Sequence, residues 1–193
     1  MNRKDLEHII RAAGEIAGVQ KVIILGSQAI LAQFPHLSEP FPEIDNSEIS
    51  LMIQHRETLI RSVEADLMIP DSADKTEMVE GAIGELSSFH DTFGYYAQGV
   101  DLTTSRLPEG WENRLVEICN ENTNGISGLC LEIHDLIISK LYAGRKKDID
   151  FFKAALDIGL LSRETLAERL SKTSMTDKYR DMIKDYINKG FAQ

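Results

Sequence analysis

Apolar residues recur at helical spacing near the start of the chain and predict an amphipathic helix over residues 2–17, which Gly18 ends. The apolar positions of this helix are Leu6, Ile9, Ile10, Ala13 and Ile16. A short run rich in β-branched residues follows over 21–25 and predicts a buried strand. The pair Gly26-Ser27 then turns the chain into a second predicted helix over 28–33.

The middle of the chain predicts a sheet that is interrupted by an insertion near 36–60. Prolines and polar residues predict a loop over 36–42, and scattered apolar positions predict a short helix in the rest of the insertion. Residues 64–69, EADLMI, alternate acidic and apolar side chains, which predicts a strand with its acids on one face. A helix is predicted over 73–86, and further strands in FGYYAQGVDLTT, RLVEICNEN and LCLEI.

From His134 onward the apolar periodicity is helical throughout. Gly144 predicts a break between two helices and Gly159 the end of the second one. Ser162 is typical of the residue that caps the start of a helix. We therefore predict an α+β fold, in which a small mixed β-sheet flanked by helices forms an α/β core over 1–133. A helical region over 134–193 packs on that core.

The composition narrows the class of protein. Of the 193 residues 42% are hydrophobic and 27% are charged, which is enough for a core that needs no disulfide or metal. The net charge of −10 argues against indiscriminate binding to nucleic acid. No apolar run reaches 18 residues, and the N-terminal stretch is charged. We therefore expect no membrane partner, no secretory signal and a cytoplasmic location.

The charge is unevenly distributed along the chain. Up to Ile133 there are 9 basic and 22 acidic residues, and from His134 there are 12 basic and 9 acidic residues, which gives −13 and +3. This asymmetry is compatible with an ordinary solvated surface. It also fits an acidic part that holds a metal, followed by a mildly basic part that contacts a polyanion.

Gly26 and Ser27 are the first candidates for chemistry. A glycine between a strand and a helix allows close approach of a ligand to the backbone. The serine hydroxyl and the N–H groups at the start of the following helix can bind phosphate oxygens, and the helix dipole favours an anion there. The same pair also serves as a plain structural corner in many proteins, so it predicts a phosphate site only together with other residues.

Glu64 and Asp66 are the second candidates. Two residues apart on a strand, they must point to the same side of it, about 5 to 7 Å apart. Such a pair of carboxylates offers hard oxygen ligands to Mg²⁺, which needs few protein ligands when phosphates complete its shell. The alternative is an edge strand whose acids face water.

The order of these motifs resembles the nucleotidyltransferase superfamily, whose members share the fold of DNA polymerase beta. Their signature is a glycine-serine turn followed by a strand carrying two acids. The segments ILGSQAIL, RSVEADLMIP and DLIISKLYAGRKKDIDF also resemble uncharacterised nucleotidyltransferase-like families related to abortive-infection toxins of type IV toxin–antitoxin systems. The resemblance extends from about Val22 to about Leu156.

The resemblance implies a role for particular residues. Gly26 and Ser27 would hold the phosphates of an NTP, and Glu64 and Asp66 would be catalytic acids that bind Mg²⁺. Arg61 matches a frequent arginine of the family and is a further implied nucleotide-binding residue. Lys140, Arg145 and Asp148 would close over the triphosphate or brace the site. The charges between Lys140 and Asp148 also fit the solvated face of a helix.

A third carboxylate is expected to act as general base on the attacking hydroxyl. Asp101, Glu117 and Glu132 each lie between apolar residues and are candidates. We favour Asp101, because it follows a predicted strand at the position where the fold of the superfamily implies this acid.

The leading hypothesis is an Mg²⁺-dependent nucleotidyltransferase that transfers a nucleoside monophosphate from an NTP to a hydroxyl acceptor. The acceptor is an RNA, a protein or a small molecule, and a toxin-like role with a cognate antitoxin is implied by resemblance alone. Two alternatives stay open. One is a catalytically degenerate protein of the same fold that binds a nucleotide or a partner, and the other is a plain interaction module.

Overall fold

The computed structural model describes residues 1–39 and 47–192. The described strands are β1 (Lys21–Ile24), β2 (Glu64–Met68), β3 (Tyr96–Gly99), β4 (Val116–Ile118) and β5 (Ser127–Cys130). The described helices are α1 (Arg3–Ala17), α2 (Ile30–Gln33), α3 (Ser47–Ile60), α4 (Ala73–Ile83), α5 (Ser88–Phe93), α6 (Ile133–Ala143), α7 (Lys146–Asp157), α8 (Arg163–Ser171) and α9 (Asp177–Gly190). The predicted α+β class is confirmed.

The strands form one mixed sheet in the order β3-β2-β1-β5-β4. Strand β1 is antiparallel to β2 and parallel to β5, while β3 is parallel to β2 and β4 is antiparallel to β5. This order places the strand that precedes the glycine-serine turn directly beside the strand that carries the two acids.

The chain forms two compact units, each assembled from segments that are distant in sequence. The first unit contains the sheet and comprises Met1–Glu39, Ile60–Asp101 and Leu115–Leu131. The second, the helical unit, comprises the described residues within Pro40–Leu59, Leu102–Arg114 and Glu132–Gln193.

Helix α1 supplies much of the core of the first unit. Asn2 caps its start by accepting a hydrogen bond from the Asp5 N–H at 3.0 Å, and the Asn2 N–H donates to Asp5 at 2.8 Å. Gly18 ends the helix in the left-handed conformation, with φ +61°. Of the predicted apolar face, four residues are fully buried, namely Leu6, Ile9, Ile10 and Ala13.

The helical unit also follows its local signals. Gly144 and Gly159 adopt left-handed φ values of +65° and +74° where the predicted break and stop occur. Ser162 caps α8 by accepting a hydrogen bond from the Thr165 N–H at 3.2 Å. The core of this unit contains the buried side chains of Phe151, Phe152, Leu166, Leu170, Ile183 and Ile187.

Several element boundaries differ from the prediction. The turn after β1 forms a three-residue 3-10 turn, Ser27–Ala29, before the four-residue helix α2, instead of one helix over 28–33. Part of the predicted loop forms a 3-10 turn, Pro35–Ser38, while residues 40–46 lie outside the described part. The helix of the insertion, α3, has 14 residues and is longer than predicted.

The segment after β2 also departs from the prediction. Helix α4 ends at Ile83, before Gly84, although we predicted it to continue to 86. The six-residue helix α5 was not predicted, because a helix of fewer than two turns carries too little periodicity to be recognised. Its start is capped by Ser87, whose hydroxyl accepts a hydrogen bond from the His90 N–H at 3.2 Å.

Candidate nucleotide site

Strand β2 presents its two acids on one side, as predicted. Ala65 and Leu67 are fully buried, whereas Glu64 and Asp66 are only half-buried. Side chains alternate along a strand, so the acids occupy the face opposite the two buried residues. Because neither acid is packed in the core, both carboxylates can contact a ligand without a rearrangement of the sheet.

Gly26 lies in direct contact with Asp66. A Cβ atom added to Gly26 would lie 2.7 Å from Cγ and 2.8 Å from Cβ of Asp66, closer than real Cβ atoms approach other heavy atoms. The Leu25 N–H donates to the Asp66 carbonyl at 2.9 Å and holds the two strands together at this point. The φ of Gly26 is −86°, so the contact with Asp66, not the backbone conformation, requires glycine here.

Ser27 begins the 3-10 turn that follows Gly26. The Ala29 N–H donates to the Gly26 carbonyl at 3.0 Å and closes this turn. Because the turn and α2 together are short, their summed dipole is smaller than that of a full helix. Any affinity for phosphate at this corner therefore depends more on the Ser27 hydroxyl and on close backbone approach than the sequence suggested.

Glu64 has a partner that the sequence reasoning missed. Tyr96 pairs with Glu64 in the parallel register of β2 and β3, and its hydroxyl donates to Glu64 Oε2 at 3.2 Å. Burial raises the pKa of Tyr96 to about 12, and the negative charge of Glu64 acts in the same direction. The phenol therefore keeps its proton at neutral pH and orients the Glu64 carboxylate.

Gln28 ties the turn to the segment that precedes β2. Its side chain is fully buried, and its Nε2 donates to the Ser62 carbonyl at 3.1 Å. Its Oε1 has no hydrogen-bond partner among the described residues. Arg61 is exposed in the same short segment between α3 and β2, three residues before Glu64. The sequence reasoning did not identify Gln28, because a glutamine beside the glycine-serine pair has no distinctive pattern.

The three candidates for a third carboxylate occupy different places. Asp101 is exposed and follows β3, the strand next to β2, whose register pairs Asp66 with Gln98. Glu117 lies on β4, at the opposite edge of the sheet from β3, and accepts a hydrogen bond from the Ser127 hydroxyl at 2.5 Å. Of these two candidates, Asp101 is the one beside the strand of Glu64 and Asp66.

Glu132, the remaining candidate, caps helix α6. It accepts hydrogen bonds from the His134 and Asp135 N–H groups at 3.0 and 3.3 Å, and His134 Nδ1 lies 2.6 Å from its Oε1. Burial acts to raise the pKa of Glu132, but these hydrogen bonds outweigh it and lower the pKa. His134 Nε2 accepts from the Ser162 N–H at 2.9 Å, so Nδ1 carries the proton that Glu132 accepts. Glu132 thus has a structural role in the helical unit.

Lys140, Arg145 and Asp148 meet within the helical unit. Asp148 is fully buried and accepts hydrogen bonds from Lys140 Nζ at 3.3 Å and Arg145 Nε at 2.7 Å. Lys140 is itself buried, with Nζ 4.7 Å from the centre of the Phe151 ring. The Arg145 side chain is 62% exposed. The Lys140–Asp148 pair is therefore not part of a solvated face, whereas Arg145 is accessible.

A second buried carboxylate, Asp135, lies in the first turn of α6. The structure places it, fully buried, between two arginines. Arg114 donates to it through Nε at 2.8 Å and through a second nitrogen at 3.1 Å, and Arg169 Nε lies 3.1 Å from Oδ1. This cluster links the segment before β4 to α6 and α8 within the helical unit.

Two kinds of site are absent from the described residues, a cluster of metal ligands and a helix that could cross a membrane. No group of three or more histidine, cysteine, aspartate or glutamate side chains there is arranged to hold a metal ion. Glu64 and Asp66 are two carboxylates and so do not form a group of three. None of the described helices combines the length and the apolar character that a membrane crossing requires.

A family described as nucleotidyltransferase of unknown function (DUF6036) matches residues 4–189. The chain belongs to this family. The match includes the glycine-serine turn, both acids of β2 and the Lys140–Asp148 cluster, and it supports nucleotidyl transfer as the general chemistry. No curated protein and no solved structure matches the chain.

Proposed function

We propose that this DUF6036 member is an Mg²⁺-dependent nucleotidyltransferase that transfers a nucleoside monophosphate from an NTP to a hydroxyl acceptor. The observation that carries the proposal is the contact between Gly26 and the Asp66 side chain. It brings the glycine-serine turn and the acidic strand, which are separate motifs in the sequence, to one place in the first unit. A plain structural corner does not require a carboxylate against its glycine.

The residues present fit a magnesium ion. Glu64 and Asp66 supply hard oxygen atoms from one face of a strand, and Mg²⁺ in nucleotide sites is commonly held by one or two carboxylates together with substrate phosphates. When bound, the ion would offset negative charge on the phosphate oxygens. The hydrogen bond from the Tyr96 hydroxyl to Oε2 holds the Glu64 carboxylate in one orientation.

The protein residues bind the triphosphate and accept the proton of the attacking hydroxyl. Gly26 lets the triphosphate approach the backbone, and the Ser27 hydroxyl donates to a phosphate oxygen. Asp101 accepts the proton of the attacking hydroxyl. A bond then forms between the acceptor oxygen and the α-phosphorus, the bond to the β-phosphate oxygen breaks, and pyrophosphate leaves. Arg61 is a further proposed phosphate contact. Lys140, Arg145 and Asp148 belong to the helical unit, and a role for them in nucleotide binding is proposed from the family resemblance alone.

A second candidate is a catalytically inactive protein that binds a nucleotide. The observation that favours it is the position of Asp101, which lies three residues beyond Gln98, the partner of Asp66 in the sheet register. At about 3.3 Å per residue this offset corresponds to roughly 10 Å along the strand. If the loop after β3 does not return Asp101 toward Asp66, the general base is missing while the nucleotide site is intact.

Transfer of label from α-³²P NTPs to RNA, protein or small molecules of a cell lysate tests the first candidate. We expect labelled product with the wild type and a loss of at least about 100-fold with Asp66→Asn, because a carboxylate ligand is removed. Asp71→Asn is the matched control. Asp71 is exposed just beyond β2, and asparagine tolerates its φ of +57°. Undiminished transfer by Asp66→Asn would refute the metal assignment.

Thermal denaturation with each NTP and Mg²⁺ distinguishes the two candidates, because a ligand that binds the folded state raises Tm. A rise in Tm that is lost in Asp66→Asn, without label transfer, identifies the inactive binder. Absence of both signals contradicts both candidates. The toxin-like role and the cognate antitoxin stay proposals from resemblance. Growth arrest on expression of the wild type, but not of Asp66→Asn, would support the toxin-like role.

A further inference from the structure

A cavity of about 370 Å³ lies between α8 and α9 in the helical unit, and none of its lining residues is assigned to the nucleotide site. It is lined by Arg163, Ala167, Leu170, Ser171, Arg180, Lys184, Ile187 and Asn188. This volume falls within the range of small-molecule binding sites in proteins. It is larger than a bare inorganic anion would fill.

Three of the lining residues are cations and none is an acid. Within the described part of the chain, Arg163, Arg180 and Lys184 form no ion pair, whereas Arg169 and Lys172 nearby are both paired with Glu168. Among the described residues, no carboxylate is therefore paired with a cation of the cavity. In a chain with a net charge of −10 such a cluster attracts an anion locally.

The two arginines are held in place by neutral groups. Arg180 donates to the Leu170 carbonyl at 2.6 Å and to the Thr173 carbonyl at 3.0 Å, and Arg163 donates to Asn188 Oδ1 at 2.8 Å. A guanidinium has five N–H donors, so each arginine keeps donors for a ligand. Because their orientation is already set, binding loses less side-chain entropy than it would with mobile arginines.

The cavity also has an apolar wall, formed by Ala167, Leu170 and Ile187. Leu170 and Ile187 belong to the core of the unit and are nearly fully buried. An inorganic anion would leave these apolar side chains in contact with water. A ligand with an apolar or aromatic body covers them and gains the free energy of removing apolar surface from water. The lining therefore matches a ligand with a phosphate at one end and a flat or apolar body at the other.

We propose that this cavity binds an organic phosphate of the nucleotide type, with the phosphate on Arg163, Arg180 and Lys184 and the base or sugar on the apolar wall. Such a group is supplied either by a free nucleoside monophosphate or by the terminal nucleotide of an RNA strand. The site is additional to the proposed NTP site and does not depend on Mg²⁺.

Isothermal titration in EDTA tests this proposal, with the full-length Asp66→Asn protein as background so that the proposed metal site makes no contribution. The titrants are AMP, a 5′-phosphorylated RNA hexamer, adenosine and inorganic phosphate. We expect AMP or the hexamer to bind. Lys184→Ala and Arg163→Ala should each weaken that binding about tenfold, because each removes a charge-assisted hydrogen bond.

Lys178→Ala is the matched control, since Lys178 is exposed on the same helix but does not line the cavity. Arg180 is left intact because it bonds the last carbonyls of α8. Binding of AMP identifies a free nucleotide as a source, and binding of the hexamer alone identifies the strand. The proposal is overturned if neither binds, if inorganic phosphate binds as tightly as AMP, or if Lys178→Ala weakens binding as much as Lys184→Ala. None of these outcomes depends on nucleotidyl transfer.

Discussion

Gly26 and Asp66 show how one pair of residues couples two motifs. The Asp66 carboxylate occupies the space that a Cβ atom at position 26 would need, so only glycine fits there. Ser27 continues from this contact into the turn, and Glu64 lies two residues from Asp66 on the same face. The candidate site therefore depends on the absence of a single methyl group.

Gly26→Ala should abolish nucleotide-dependent stabilisation and transfer while leaving the protein folded. The added Cβ displaces the Asp66 side chain, and overpacking of this kind lowers the free energy of unfolding by about 1 to 3 kcal/mol. The measurements are Tm with and without NTP and Mg²⁺, and label transfer. Gly81→Ala is the control, because a Cβ on this helical glycine meets no atom within 4 Å and should stabilise α4 by up to about 1 kcal/mol. Wild-type behaviour of Gly26→Ala would contradict the proposed geometry.

Helix α1 is held on the sheet of the first unit by apolar packing and by the hydrogen bonds that Glu7 accepts. A Cβ on Gly128 of β5 would lie 2.8 Å from Ile10 Cγ1, so the glycine permits close packing of the helix on the sheet. Glu7 is buried and accepts hydrogen bonds from Arg3, Asn120 and Asn122, each at 2.8 Å. The Glu7 carboxylate thereby links α1 to the turn between β4 and β5.

Glu7→Gln should lower the free energy of unfolding by about 1 to 3 kcal/mol at pH 7, because the amide cannot accept all three hydrogen bonds. Burial acts to raise the pKa of Glu7, but hydrogen bonds from Arg3, Asn122 and Asn120 outweigh it and lower the pKa. A lowered carboxyl pKa stabilises the folded state above the unfolded value of 4.5, and this stabilisation is lost as the pH falls through the folded value.

Denaturant unfolding at pH 7 and at pH 3 to 4 measures this effect. The difference between wild type and Glu7→Gln should shrink in acid. Glu15→Gln, an exposed position on the same helix, is the control and should change stability by less than about 0.5 kcal/mol. A difference that stays constant with pH would show that the charge of Glu7 is not what stabilises α1.

The two units of the molecule are interleaved along the chain. The segment Leu102–Arg114 belongs with the helical unit, although the chain before and after it belongs with the sheet. Arg114 bonds the buried Asp135, and the Glu109 N–H donates to the Lys172 carbonyl at 2.9 Å. A cut at residue 133, the predicted boundary, removes both partners of this segment.

A fragment of residues 1–133 should therefore be cleaved by trypsin at Arg106 and Arg114 much faster than the full chain. The loss of Asp135 and Lys172 leaves the segment without its hydrogen bonds, and cleavage tracks the population of the open form. Mass spectrometry of the first cleavage products checks this outcome, and cleavage at Arg11, in α1 of the first unit, is the internal control. Equal protection at Arg114 in fragment and full chain would support independent domains that meet at 133.

Local patterns were sufficient for most of the elements. The apolar spacing of α1, the stops at Gly18, Gly144 and Gly159 and the cap at Ser162 were predictable, because helix periodicity and capping involve residues a few positions apart. The alternation of acid and apolar residue along β2 was predictable for the same reason. Helix α5 was not, because six residues carry almost no periodicity.

The sequence also identified the candidate chemistry, since the glycine-serine turn and the two acids are recognisable by residue type and order. It did not show that Gly26 contacts Asp66 or that Tyr96 orients Glu64. Nor did it show that Arg114 and Arg169 enclose Asp135, or that three cations with no ion pair among the described residues line the cavity between α8 and α9. The contacts of Gly26, Tyr96 and Asp135 join residues that are distant in the chain, and the cavity forms only where two successive helices pack together. Their proximity follows from strand order and helix packing, which depend on the free energy of the whole fold and leave no local signature.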